Sequence, residues 1–148
     1  WARPQYMGWQ DMDKAKDILK YSSMPGTSRH HWGTDIDLNA LENSYFETEE
    51  GLEVYDFLER CGSELGFAQV YTNKSSGRTG YEEEKWHWSY MPVSSVMLDA
   101  YNVLITSEDI EGFDGSAIAD SIKIIDISGL DFVKNRSDYL LLLDKIFA

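Results

Sequence analysis

Of the three histidines in the chain, His30 and His31 stand together in SRHHWGTDID, with Asp35 and Asp37 close behind. The third, His87, lies in EEEKWHW, three residues after Glu84. A catalytic zinc takes three protein donors, drawn from neutral imidazole nitrogens and carboxylate oxygens, and leaves a fourth position to water. A zinc hydrolase also needs a carboxylate beside that water, because a general base removes its proton as it attacks a carbonyl. His30, Asp37 and His87 are ligands of the right chemistry, and Glu84 is a candidate base. The spacing is neither H-E-x-x-H nor that of a zinc finger, so other assignments stay open at this level. His31 is an alternative to His30, Glu84 belongs to an acidic run with Glu82 and Glu83, and His87 between two tryptophans could be a core histidine. For Ser28 no Ser-His-Asp geometry is readable, and a hydroxyl bonded to substrate or turn backbone suits it better than a nucleophile.

These residues need elements to hold them. QDMDKAKDILKYSS puts Met12, Ala15, Ile18 and Leu19 on one stripe, an amphipathic helix that Pro25 and Gly26 close off. In TDIDL, apolar Thr34, Ile36 and Leu38 alternate with Asp35 and Asp37, a short strand with one acidic face. TEEGLEVYDFLERCGSELG carries Leu52, Tyr55, Leu58, Cys61 and Leu65 at helical spacing, with Gly66 as its stop. FAQVYT reads as a strand, NKSSGRTG as a polar turn, and KWHWSY as a strand with Trp86 and Trp88 on one face and His87 on the other. From Pro92 to the end the pattern is helical: PVSSVMLDAYNVL, then GSAIADSIKIIDI with Ser116 as a possible N-cap, then SDYLLLLDKIFA. A small sheet in the first two thirds with helices around it makes the chain α+β, and residues 1–148 read as one domain with a helical portion from about 92 onward.

Composition narrows the partners. The 148 residues are 43% hydrophobic and 26% charged, ordinary for a globular protein. With 26 acidic against 13 basic residues the net charge is −13, and no Lys/Arg cluster exists to meet phosphates, so nucleic acid and anionic membrane surfaces are poor partners. Cys61 is the only cysteine, which excludes an intramolecular disulfide and a Cys-rich zinc knuckle; its helical spacing from Leu58 and Leu65 suits a buried, inert thiol. No stretch reaches the roughly 18 apolar residues of a membrane span, and no signal-peptide pattern opens the chain. The first residue is Trp1, so the chain reads as a processed or trimmed piece, here taken as a monomer.

Two motifs then give a family resemblance. GTSRHHWGTDID resembles the Ser-x-His-x-x-Gly-x-Ala-x-Asp signature of VanY-type zinc D-alanyl-D-alanine carboxypeptidases, and EKWHWSY resembles their Glu-x-Trp-His motif. VYTNKSSGRTGYEEEKWHW is similar, without a gap, to the strand, loop and Thr-Gly-Tyr approach that lead to that glutamate, and DIEGFDGSAIADSI to the helical tail of some members. The likeness runs over most of residues 10–125. It implies one Zn²⁺ held by His30, Asp37 and His87, with Glu84 as catalytic base. It implies Ser28 as a contact for the peptide, Tyr71 as a further one, and Trp86 packed beside the site. The implied fold is a small antiparallel sheet with flanking helices, shared with the zinc domain of hedgehog proteins. The implied substrate is a peptidoglycan stem peptide ending in D-alanine, cut in the bacterial envelope beyond the inner membrane.

The chain departs from the family pattern at two points. Position 35, usually alanine, is Asp35; by alternation it shares a face with Asp37 and could bind near the metal or contact substrate, but a solvated carboxylate, or one standing behind a metal ligand, suits it better. The family's substrate-gripping arginine, upstream of the Ser-x-His motif, has no counterpart: Arg3 is the only arginine before Arg29, and WARPQ does not match. Arg78 is a possible replacement, although an ordinary exposed arginine suits it better, and an upstream segment is expected to be missing. The alternative to an enzyme is a non-catalytic or truncated zinc- and peptide-binding domain of the same fold.

Overall fold

The structure, a computed structural model, describes residues 1–118 with the exception of residue 79. Its platform is a three-stranded antiparallel sheet in the order β1-β3-β2, from β1 (Asp35–Asp37), β2 (Phe67–Gln69) and β3 (His87–Tyr90). Register decides which side chains share a face. Asp35 pairs with Ser89, Asp37 with His87, and Ala68 with Ser89, so these five line one side. Ile36, Trp88, Gln69, Phe67 and Tyr90 line the other. The acidic face of β1 is the one turned inward: the Asp35 side chain is fully buried while Ile36 is 41% exposed.

Three helices flank the sheet, and the fold is α+β. α1 (Asp11–Ile18) opens with Asp11 and Asp13 at its positive end and buries Ala15, with Leu19 just beyond it, in the main core. α3 (Met91–Leu104) follows β3 without a break, Pro92 sitting where the first turn tolerates it. It buries Met91, Ser94, Leu98 and Tyr101, a 3-4-3 spacing that makes one apolar stripe. Met91, Leu98 and Tyr101 join Ala68, Val70, Tyr71 and Tyr81 in a single core cluster. No helix among the described residues is long and apolar enough to cross a membrane.

α2 (Glu49–Cys61) covers the opposite face. Its Tyr55 hydroxyl donates to Gln69 Oε1 at 2.6 Å and its ring meets Trp88 edge-on at 6.2 Å. The stripe expected here is narrower than the sequence pattern: Leu52 (44%) and Leu65 (55%) are exposed, and Cys61 is only half-buried. The helix also stops at Cys61, because the chain turns back through Gly62 to Gly66, whose φ of +82° starts β2. Thr48 caps the helix, accepting from the Gly51 amide at 3.2 Å and donating to the Tyr45 carbonyl at 2.7 Å.

That cap draws the Tyr45 carbonyl against Gly51, where a Cβ would stand 2.0 Å from the oxygen. Glycine to alanine in a helix ordinarily stabilises by about 0.5–1 kcal/mol. Here the sign reverses: Gly51→Ala forces backbone apart and is expected to destabilise by about 1–3 kcal/mol, read as a lower urea midpoint. An unchanged or raised midpoint would contradict the contact.

Two strand boundaries differ from the sequence reading. Trp86 lies one residue before β3, in the turn, and packs near Tyr21 at 6.3 Å instead of sharing Trp88's face. The FAQVYT strand ends at Gln69, since the chain turns after it. Ser116 to Ile118 form a short 3₁₀ turn; the rest of that expected helix, and SDYLLLLDKIFA, lie outside the described residues.

Candidate active site

Ser28 begins the construction. Its hydroxyl accepts from the His30 amide at 3.2 Å and caps a 3₁₀ turn, Arg29–Trp32, which Gly33 ends in the left-handed region at φ +70°. The turn brings His30 over the end of β1. His30 Nδ1 lies 3.1 Å from the Asp35 carbonyl. A carbonyl only accepts, so Nδ1 carries the hydrogen and Nε2 keeps its lone pair. His87 is fixed in the reverse sense: Nε2 is 2.7 Å from Asp35 Oδ2, which leaves Nδ1 as the free donor atom.

The two free nitrogens converge on one oxygen. Asp37 Oδ1 is 3.4 Å from His30 Nε2 and 3.4 Å from His87 Nδ1, and the donor atoms of the three residues all lie within 4.8 Å of one another. These separations exceed the usual 2.7–3.2 Å of hydrogen bonds. Tetrahedral coordination with bonds of about 2.0–2.1 Å sets neighbouring donors about 3.3–3.4 Å apart, the spacing of each imidazole nitrogen from the Asp37 oxygen, so two neutral imidazoles and a carboxylate gathered here suit a zinc ion. The His30, Asp37 and His87 expected as ligands are therefore the three that the fold assembles. His31 lines the same cleft but is not among them.

Charge is distributed to match. The Asp37 carboxylate raises His30 above the ordinary histidine range, against the opposing effects of burial and of His87. Burial pushes His87 down, but its hydrogen bond to the Asp35 carboxylate and the nearby Glu84 carboxylate outweigh that and leave His87 raised. Both shifts describe a site that attracts positive charge.

Asp35 is neither solvated nor in the cleft; its contacts fit the other expectation for it, a carboxylate standing behind a candidate ligand. Its side chain is fully buried, ion-paired to Arg29 Nε at 2.8 Å and accepting from Ser89 Oγ at 2.6 Å and Thr34 Oγ1 at 2.8 Å. Burial alone would raise its pKa; the His87 bond and the Arg29 guanidinium reverse that and hold it well below the usual carboxylate range. Arg29 is itself 1% exposed and bonds Ser89 Oγ at 2.8 Å. The sequence reading missed this role for Arg29. An acid on the inward face of β1 demands a buried cation, and Arg29 six residues earlier was the available one.

Glu84 approaches from the turn before β3, with Oε2 3.4 Å from His87 Nδ1. Its carboxyl is buried, and burial raises its pKa against the opposing effect of His87. The backbone around it is held from three sides. The Glu84 amide donates to the Tyr71 carbonyl at 2.9 Å, and Gln69 Nε2 donates to the carbonyls of Glu84 and Tyr71, each at 3.2 Å. Asn43 donates to the Glu83 carbonyl at 2.8 Å and accepts from the Lys85 amide at 3.0 Å. Neither Asn43 nor Gln69 was found from the sequence, where a lone amide carries no signal. Glu82 and Glu83 are partly exposed, and Glu82 pairs with Lys74 at 2.8 Å.

A cleft of about 830 Å³ opens over these groups, and Ser28, Tyr71 and Trp86 all line it. Tyr71 meets His87 edge-on at 4.7 Å, and burial together with Tyr81 keeps its phenol far above its ordinary pKa, hence protonated. No lysine or arginine is among the cleft's described lining residues. Arg78 is no replacement clamp: it lies outside the cleft and donates through Nε and Nη2 to the Thr72 carbonyl, at 3.0 and 2.5 Å.

The family model for VanY, D-alanyl-D-alanine carboxypeptidase, matches residues 5–93, which contain every residue of the site and stop short of the tail likeness expected up to 125. A D-alanyl-D-alanine carboxypeptidase of Enterococcus faecalis (strain ATCC 700802 / V583) is 33% identical over 88 residues, 60% of this chain and 31% of that protein. An uncharacterized protein of Haemophilus influenzae (strain ATCC 51907 / DSM 11121 / KW20 / Rd) is 31% identical over 47% of this chain and 61% of its own length. The chain thus spans less than two thirds of either relative. No solved structure matches. With its two motifs on the strands and turns that build the cleft, and the model match running from before α1 into α3, the chain belongs to the VanY D-alanyl-D-alanine carboxypeptidase family.

Proposed function

We propose that the cleft hydrolyses the C-terminal peptide bond of peptidoglycan stem peptides ending in D-alanine, using one zinc ion. The observation that carries this is the meeting of His30, Asp37 and His87, each imidazole nitrogen 3.4 Å from the Asp37 oxygen, with the Glu84 carboxylate 3.4 Å from one of those nitrogens. A zinc ion held by these three supplies Lewis acidity, polarising the scissile carbonyl and lowering the pKa of the attacking water.

The protein's own groups do the rest. Glu84 Oε2 takes the proton of the attacking water and returns it to the leaving amine. Burial suits it to this, since a carboxylate with a raised pKa is a stronger base. Tyr71 offers its protonated phenol, and Ser28 its hydroxyl, to the peptide along the cleft wall, while Trp86 and Tyr21 form an apolar flank. The family's substrates belong to the cell wall, so the site of action is extracytoplasmic. The absence of a basic side chain among the described lining residues favours a second reading, a zinc- and peptide-binding domain without turnover.

Release of free D-alanine from a synthetic stem pentapeptide separates the two. The expected result is release that stops on dialysis against a chelator and returns with one equivalent of zinc. Zinc bound without release would support the binding domain. A chain that takes up no zinc would overturn both.

A further inference from the structure

We infer that Asp35 is a positioning residue that fixes both imidazoles for the metal and strengthens His87 as a ligand. The inference rests on the zinc reading above and adds a residue to which the two motifs give no role. One amino acid holds both rings: its carboxylate takes His87 Nε2 at 2.7 Å, and its backbone carbonyl takes His30 Nδ1 at 3.1 Å. Only the first of these bonds needs the side chain. An alanine at position 35, the residue usual in the family pattern, would keep the carbonyl and lose the grip on His87.

The carboxylate has no capacity left for another role. Its two oxygens offer about four acceptor sites. Oδ2 accepts from His87 and Arg29 Nε, and Oδ1 from Thr34 and Ser89. Asp35 is therefore neither a ligand nor a substrate contact, and it does not line the cleft. The Arg29 guanidinium balances its charge, so a full carboxylate can sit behind His87. An anion accepting the outer N–H of a ligand imidazole fixes the ring and its tautomer and makes the inner nitrogen a better donor; losing such a partner typically weakens metal binding about 10–100-fold.

The test is zinc affinity by competition with a chromophoric chelator. Arg29→Met with Asp35→Ala removes the buried pair together and leaves no lone charge. It is expected to bind zinc about 10–100-fold more weakly than the unaltered chain, with an unfolding midpoint of the metal-free protein close to the original. Arg29→Met with Asp35→Asn keeps a neutral acceptor for His87 and is expected to lose less. Equal zinc affinity in the folded Ala variant and the unaltered chain would overturn the inference while leaving the site reading intact. An unaltered chain that binds no zinc would overturn the site reading itself. Should the double variant not fold, ¹⁵N shifts of the zinc-loaded unaltered chain decide: His87 protonated at Nε2 and coordinating through Nδ1 supports the inference, and the reverse overturns it.

Discussion

Glu84→Gln is expected to lower kcat/KM on a stem pentapeptide by roughly 10²–10⁴-fold, the usual worth of a positioned general base, while one zinc stays bound. The substitution keeps size, shape and an acceptor oxygen, and removes only the ability to take a proton. The turn should hold, because every bond that fixes it runs through backbone atoms of Glu83, Glu84 and Lys85 to Asn43, Gln69 and Tyr71. Counting zinc in the same sample matters. Oε2 lies 3.4 Å from His87 Nδ1, the separation that also marks the ligand atoms. Lost activity with zinc retained assigns Glu84 as base; lost activity with lost zinc would make it a ligand and sink the base reading. Glu82→Gln is the control. Glu82 faces Lys74 at 2.8 Å, and its loss is expected to leave turnover within about twofold, the small effect of a partly exposed pair.

His30, Asp37, His87 and Glu84, which the fold brings together, were singled out in the sequence mainly through the family resemblance; residue type and spacing alone left His31 and a core role for His87 open. The elements were legible where periodicity was strong: the stripe of α1, and Pro92 at the head of α3. Legibility failed where tertiary contacts overrode local pattern. Leu52 and Leu65 fit a helical stripe, yet α2 meets the sheet mainly through Tyr55, so both leucines stay in solvent. Trp86 fits the alternation of β3, but its turn carries it to the cleft near Tyr21. Asp35 was the position the sequence left most open. Alternation put it correctly beside Asp37, but a lone sequence does not say which face of a three-residue strand is buried. Its partners lie at positions 29, 34, 87 and 89, and only the folded register brings the last two across from it.

The second large effect concerns that buried pair. Arg29→Met is expected to destabilise the metal-free protein by about 3–5 kcal/mol, because it strands the Asp35 carboxylate in a fully buried position. Removing both partners is a different operation. A buried ion pair replaced by apolar groups is often neutral, since the desolvation penalty disappears with the attraction. Adding Asp35→Ala to Arg29→Met should therefore recover most of the loss, a coupling that urea unfolding of the four proteins in chelator would measure. Acid offers an independent check on sign. Arg29 and His87 lower the Asp35 pKa in the folded state despite its burial. Its contribution is therefore present in full above the ordinary carboxylate value of about 3.9 and falls away as pH drops further. With Arg29 gone, burial is opposed only by His87 and the Thr34 and Ser89 hydroxyls, so the Asp35 pKa should rise and the penalty of Arg29→Met should shrink on acidification as the stranded carboxylate takes up a proton. A penalty that is small at neutral pH, or that grows as pH falls, would mean that the guanidinium does not hold the Asp35 charge in place.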